Sequence, residues 1–367
     1  MQRFLLFTLT FIAAAACSRT EDNILWDKSL GAGEAFCVAA AGDTGIICGG
    51  TIAGKPYIAF LDKKLSKRFE YSPDINGTIT SLVTSGDRIM AGGSSEGMMF
   101  IAVVDFFGNS LGDTLIQFGF NVGRTSLCPA GSDSFIALGS STDDTIRAVP
   151  YGLAFTEVNI EGEVLKSYDT IPGSFIKAGN ICSDNSGNYY IALSRIGPGG
   201  KIKATVASFD HMLRKLWETE LYNNPGFGAS SLGIAAGKSG DIFVTGYTEF
   251  SVNNGTDRNA FAAAVGKNGQ INWKRYLEYS NSASSQFEDA SGTLYVLNSG
   301  CIILNSLNAG DGTVTGILRT FAACNPSKDK ARGNAVTGGP AGELLVAGSR
   351  NGNFYIVAKS PDDLSPV

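Results

Sequence analysis

The chain has one histidine, His211, in the stretch FDHMLRK (209–215). A serine or cysteine nucleophile activated by a histidine base would have to use it. The stretch instead reads as a hairpin turn, with Asp210 closing an apolar run and Leu213-Arg214-Lys215 opening the next. A turn tip is a solvated place with no neighbours from which to build a triad. A single histidine also excludes an imidazole-rich zinc site, and no C-x-x-C pair is present. Neither G-x-x-x-x-G-K-[ST] nor a G-x-G-x-x-G opening a helix occurs, so no phosphate cradle is legible.

Carboxylates gather at Asp143-Asp144 and at Asp257 within VNNGTDRN (252–259). Neither segment has the D-x-[DN]-x-[DN]-G order of a calcium loop. A glycosidase needs two facing carboxylates, and the 34 acidic residues single out no such pair. The expectation is no catalytic residue, no metal and no cofactor. The net charge of −5 and the absence of any Lys/Arg run argue against nucleic acid as a partner.

The elements that would hold any site follow from composition and repetition. The chain has 367 residues, of which 17% are charged and 46 are glycine. Low charge and abundant glycine suit an all-β protein with many tight turns. DNSGNYYIALS (184–194), KSGDIFVTGYT (238–248), DASGTLYVLNS (289–299) and PAGELLVAGS (340–349) share a glycine, a polar residue, an alternating run and a small-residue end. TGIICGG (44–50), GDRIMAGG (86–93) and SDSFIALG (132–139) are weaker copies. Their equivalent slots are Gly50, Gly93, Gly139, Ser194, Tyr247, Ser299 and Ser349, spaced 43 to 55 residues apart. A short apolar strand precedes each copy. Two further runs follow it, for example PYIAFLD (56–62) and then a run with an aromatic slot. Phe69, Trp217 and Trp273 hold that slot and are expected to pack between neighbouring sheets.

A repeat of four short strands over about 50 residues predicts a seven-bladed β-propeller of four-stranded antiparallel blades over residues 23–360. The last copy reaches NFYIVAKS (353–360) and lacks its aromatic run, leaving 361–367 as a tail. NILWDKSL (23–30), with Trp26 in the aromatic slot, supplies that fourth strand from the other end of the chain. This closes the ring and covers an otherwise open sheet edge.

The G-[ND]-x-[YF]-V-x-G-x-[ST] core resembles the seven-bladed propeller repeat of bacterial exported proteins. Its D-x-x-G-x-x-x-W flavour is also similar to quinoprotein-like repeats, including those of the eight-bladed lipoprotein of the outer-membrane β-barrel assembly machine. The resemblance implies the fold and leaves activity open, because propellers host unrelated functions.

The N-terminus has a short basic start and an apolar run, FLLFTLTFIAAAA (4–16), too short to span a bilayer. Ala14-Ala15-Ala16-Cys17 resembles a bacterial lipobox, with Ala14 where leucine is usual. The reading is a signal peptide over 1–16, a lipidated Cys17 and a tether over 17–22; the alternative is an ordinary signal peptide cut after Ala16. Ser18 to Asp22, fully extended, reach roughly 17 Å. The ring is then held close to a membrane, expected to be the outer membrane, on its periplasmic side or at the cell surface. Export permits disulfides. Cys37 with Cys48, placed opposite one another by a hairpin centred on Gly42-Asp43, and Cys301 with Cys324 are the candidate pairs, with buried free thiols as the alternative.

The segments joining the second and third strands of a blade lie on one face of the ring. Three adjacent ones are long: STDDTIRAVP (141–150), RIGPGGKIK (195–203) and TEFSVNNGTDR (248–258). They carry Asp143, Asp144, Arg147, Arg195, Lys201, Asn253, Asn254, Asp257 and Arg258. Loops above a rigid scaffold are where binding residues concentrate. The expected function is a non-catalytic envelope lipoprotein that binds a protein partner or glycan, as a monomer or within a larger envelope complex. The alternatives are an exported propeller enzyme (a polysaccharide lyase or hydrolase, or a quinoprotein dehydrogenase) and a purely structural ring.

Overall fold

The computed structural model describes residues 24–141, 153–168, 175–197, 201–222, 228–252, 255–277, 282–298, 302–319, 331–363 and 365–366. Apart from one short 3₁₀ turn, Pro361–Asp363, the described elements are strands. The first blade contains part of β1 (Ile24–Ala40), then β2 (Gly45–Ile52), β3 (Lys55–Asp62) and β4 (Lys67–Tyr71). The second is β5 (Thr78–Ser85), β6 (Arg88–Ser95), β7 (Met98–Asp105) and β8 (Ser110–Ile116). The third is β9 (Arg124–Pro129), β10 (Ser134–Ser140), β11 (Leu153–Asn159) and β12 (Val164–Tyr168). The fourth is β13 (Phe175–Ser183), β14 (Tyr189–Ile196), β15 (Ile202–Phe209) and β16 (Lys215–Tyr222). The fifth is β17 (Ala229–Ala236), β18 (Ile242–Val252), β19 (Gly255–Val265) and β20 (Ile271–Leu277). The sixth is β21 (Ala283–Glu288), β22 (Thr293–Asn298), β23 (Ile303–Asn308) and β24 (Val314–Arg319). The last three long strands are β25 (Ala331–Gly338), β26 (Leu344–Arg350) and β27 (Asn353–Lys359).

All pairings within blades are antiparallel, in the order inner to outer strand. The two middle strands of a blade are covered on both faces. They therefore read as continuous apolar runs, as in MMFIAVVD (98–105), which is buried at all but its first residue. Outer strands alternate instead, as in SLGDTLI (110–116). The core lies between neighbouring blades: Ile58 and Phe60 of the first pack with Ile89 and Phe100 of the second. The inner strands touch in sequence, β1 with β5, β5 with β9, and so on to β25, which returns to β1 and closes the ring.

Closure uses β1 twice. Ile24 to Ala32 pair antiparallel with β27, setting Trp26 opposite Ala358 and Lys28 opposite Ile356. Gly33 to Ala40 pair with β2. The strand changes partner at Gly31-Ala32-Gly33. A Cβ on Gly33 would sit 2.0 Å from the Thr51 carbonyl oxygen, so only glycine fits there. Tyr355 Oη donates to Asp27 Oδ2 at 2.7 Å, tying the seam with a side-chain bond. At the other end, Ser365–Pro366 add a short fifth strand to the edge of β24.

The aromatic slot locks successive blades together. Trp217 Nε1 donates to the Lys267 carbonyl at 2.7 Å and Trp273 Nε1 to the Ala309 carbonyl at 2.9 Å, each in the β3–β4-type turn of the next blade. The ring of each indole lies against a glycine of that turn, Gly269 (φ +84) and Gly312 (φ +72). A Cβ there would come within 2.9 Å of Trp217 and 2.5 Å of Trp273, and the positive φ independently favours glycine. Phe69 meets Gly108 in the same way.

In the second, third and fourth blades that turn is built by an Asp or Asn at or just after the end of the third strand. Asp105 Oδ1 accepts the Phe107 and Asn109 N–H groups at 2.9 and 2.8 Å, and Asp210 Oδ1 accepts those of Met212 and Arg214, both at 2.9 Å. Asn159 does the same with Glu161 and Glu163. The Asn109 amide, followed by the turn N–H groups, holds the Asp105 carboxyl below the usual range despite its burial. The Arg214 N–H does so for Asp210, with the Arg214 guanidinium adding to it. A carboxylate with a depressed folded pKa stabilises above its unfolded value, near 4, and loses that contribution as pH falls through the folded value. The melting temperature is therefore expected to fall as pH drops below about 4. Asp105→Asn, which copies Asn159, should flatten part of that fall; thermal melts at stepped pH check both.

Two expectations are corrected. The slots Tyr247 and Ser349 are one residue late: the positions paired at the inner-strand bulge are Gly246 and Gly348, in line with Gly50 and Gly93, and Asn298 holds it in the sixth blade, while Ser299 lies outside the described residues. Cys37 and Cys48 are free thiols. The turn is closed by Ala41 and Gly45, with Ala41 N donating to Gly45 O at 2.9 Å, so it centres on Asp43. That shift pairs Cys48 with Val38 and Cys37 with Gly49 and sends the two side chains to opposite faces of the sheet. Cys37 packs toward the second blade and Cys48 toward the last. Burial pushes both thiols up, Cys48 to about 12. Peptide mapping after maleimide treatment is expected to find both unmodified in the folded protein and modified after unfolding. Cys301 and Cys324 lie outside the described residues.

Candidate binding face and its hairpins

Antiparallel alternation places every link from second to third strand at one end of the blades, with the starts of the inner strands. Among the hairpins at that end whose residues are described, the fifth blade carries the longest paired ladder. β18 and β19 have 11 residues each, against 8 for β2 and β3. TEFSVNNGTDR, expected as a loop, is thus mostly strand: Glu249 pairs with Arg258, Phe250 with Asp257 and Val252 with Gly255. The period-two alternation of T-E-F-S-V continues the ladder until the Asn253-Asn254 tip. RIGPGGKIK behaves similarly at its ends, with Arg195 opposite Lys203, Ile196 opposite Ile202, and Gly197 N donating to Lys201 O at 2.7 Å.

Arg195, Lys203 and Arg258 of these hairpins are held in ion pairs. Arg258 Nη2 lies 3.2 Å from Glu249 Oε1, and its guanidinium carbon is 4.2 Å from the centre of the Tyr247 ring. Asp257 is exposed and accepts the Arg258 N–H at 2.8 Å. Arg195 Nε lies 2.8 Å from Glu218 Oε1, and Lys203 Nζ 2.7 Å from Glu220 Oε2. Lys201 is exposed. Arg195, Lys201, Asp257 and Arg258 therefore stand at the same end of adjacent blades. Asp143, Asp144, Arg147, Asn253, Asn254 and Cys17 lie outside the described residues.

Sequence reasoning missed the partners Glu218, Glu220, Glu249 and Lys203. It also missed a polar set around the ring axis at this end. Asn334 Nδ2 donates to Glu34 Oε1 and to the Ala35 carbonyl, both at 2.8 Å, and Arg124 Nη2 donates to Asn180 Oδ1 at 2.7 Å. These residues stand far apart in the chain and meet only because the inner strands close into a ring. Burial lowers the Arg124 pKa, yet its contact with Asn180 keeps the guanidinium engaged. Such a face offers paired charges of both signs and directional donors and acceptors. His211 is exposed in the β15–β16 turn, at the opposite end of its blade. Among the described residues, no group of three or more His, Cys, Asp or Glu side chains could hold a metal ion.

No family model matches the chain, and no curated protein matches it. Solved structures do. The Pan2 WD40 domain of Neurospora crassa superposes with a TM-score of 0.59 at 12% identity, covering 91% of this chain and 95% of that one. Sqt1 from Chaetomium thermophilum gives 0.56 at 14%, covering 89% and 82%. Drosophila Plexin A, in complex with Semaphorin 1b, gives 0.55 at 9%, covering 93% and 87%. At these identities the likeness shows the fold: the chain is a β-propeller-like ring of four-stranded antiparallel sheets.

Proposed function

We propose that this chain is a non-catalytic binding module of the cell envelope that engages a protein partner through the hairpin face of its fourth and fifth blades. The carrying observation is the pair of adjacent hairpins, β14–β15 and β18–β19, which set Arg195, Lys201, Asp257 and Arg258 at one end of a rigid ring. Paired charges of both signs suit a protein surface better than a bare anion, because complementary patches set register and suppress wrong partners. The propeller-like neighbours support an interaction scaffold. The N-terminal run and Cys17 support a lipid anchor, which would hold the ring beside a membrane and favour a local partner.

Two experiments test this reading. Affinity capture after cross-linking in the native envelope is compared with a variant in which residues 249–258 are replaced by a two-residue turn. A partner recovered by the parent protein and lost from the variant supports the hairpin face. Recovery by both, or by neither, overturns it. Metabolic labelling with a fatty-acid analogue is expected to mark the parent and not Cys17→Ser, which should move to the soluble fraction. An unlabelled parent protein overturns the anchor.

A further inference from the structure

The aromatic slot is closed between the fourth, fifth and sixth blades and open at the ring's seam. At the seam the indole is Trp26, and the facing turn belongs to the first blade. Its positive-φ position, glycine in the turns that face Trp217 and Trp273, is Leu65 (φ +60), as it is Leu213 (φ +58) in the fourth blade. The backbone turn is the same, with Leu65 N donating to Asp62 O at 2.8 Å. Leu65 and Trp26 both pack against the cluster of Ile46, Leu345 and Ala358. Trp217 and Trp273 each donate to a carbonyl of the facing turn, but among the described residues Trp26 Nε1 has no such partner.

What opens there is a cavity of about 480 Å³. Its apolar wall includes Leu25, Trp26, Ile46 and Leu65, and its polar wall includes Glu343 and Asp362. Glu343 is only 8% exposed. One of its oxygens accepts the Ala341 N–H at 2.8 Å. Among the described residues no lysine, arginine or histidine pairs with it. Asp62, also in the lining, is already engaged by Arg68 and by its own turn. A sheltered carboxylate without a paired cation thus shares one cavity lining with Trp26 and its indole N–H. An ammonium or guanidinium would meet both through a charge-assisted hydrogen bond and a cation–π contact, and an apolar stem would fill the remaining wall.

We propose that this seam cavity binds a small organic cation, an ammonium or guanidinium group on an apolar stem. The site is independent of the hairpin face, since Leu65 and Glu343 stand at the opposite end of their blades. The probes are hexylammonium and benzamidine, with hexanol and benzyl alcohol as neutral controls, titrated calorimetrically against the full chain. Saturable binding of the cations and weaker binding of the alcohols is expected. Glu343→Gln keeps the bond to the Ala341 N–H and should weaken cation binding about tenfold or more. Lys63→Glu, at an exposed lining position, should strengthen it severalfold and does not touch the core. Trp26→Phe should weaken it by about threefold. Thermal melts confirm that each variant is folded, and Lys63→Glu carries the test if Glu343→Gln is not. No saturable binding by either cation, equal binding of the alcohols, or affinities unmoved by both charge variants would overturn the proposal.

Discussion

Deleting residues 24–32 is expected to lower the melting temperature by on the order of 10 °C and to make the protein prone to association. The segment is the outer strand of the last blade, paired along β27 from Lys359 to Asn353. Its loss exposes a full ladder edge. It also removes Ile24, Trp26 and Leu30, which are partly buried against the clusters that join the last blade to its neighbours. Burying such side chains contributes about 1.5–3 kcal/mol each when complete, so roughly half of that per residue is at stake here. Tyr355→Phe removes the hydroxyl that donates to Asp27 and accepts from Arg350 Nη1, and should cost about 1 kcal/mol. Adding a peptide of residues 23–32 back to the deleted protein should recover part of the loss. An unchanged melting temperature after deletion would contradict strand closure.

Replacing Gly348 with alanine is expected to cost about 3 kcal/mol, near the top of the range for overpacking. An added Cβ would lie 1.8 Å from the Arg332 carbonyl oxygen, a backbone atom that cannot swing aside. The bulge between Gly333 and Ala335 turns that carbonyl toward β26, and Gly50 and Gly93 meet the same obstruction at 2.0 and 1.9 Å. Gly342→Ala is the matched control. It has φ +87 and open space around it, so only the conformational term of about 1 kcal/mol applies. Denaturant melts of both variants separate the two causes. Equal losses would mean that the clash is relieved by backbone movement.

These two results bear on how much of the molecule its sequence displays. The repeat was legible because each blade repeats one physical problem. Middle strands covered on both sides need continuous apolar runs, outer strands alternate, and the Asp or Asn at or just after the end of β7, β11 and β15 must hold a tight turn. NILWDKSL was legible as a closing strand because the last copy lacked one. Register was not legible to the residue. Whether the turn after Ala40 centres on Asp43 or between Gly42 and Asp43 decides whether Cys37 faces Cys48 or Gly49, and both turns suit the same residues. The long segment at 248–258 looked like a loop because Asn253-Asn254-Gly255 dominates its composition, while T-E-F-S-V extends the ladder almost to that tip. The contacts of Glu34 with Asn334 and of Arg124 with Asn180 span 300 and 56 residues, and nothing local announces them. Leu65 in place of glycine can be read in the turn DKKLS, but its consequence appears only when Trp26 arrives from the other end of the ring.

The binding face is tested most directly by cross-linking mass spectrometry on intact cells that carry the full-length protein. Lys201 and Lys203 of the β14–β15 hairpin and Lys274, whose Nζ is 4.6 Å from the centre of the Tyr222 ring in the neighbouring blade, report on the proposed face and its flank. Lys63, Lys64 and Lys166 report on the turns and outer edges of other blades. Cross-links from Lys201 or Lys203 to one recurring envelope protein are the predicted result. Cross-links to a recurring partner that arise only from Lys63, Lys64 and Lys166 would contradict the assignment of the hairpin face.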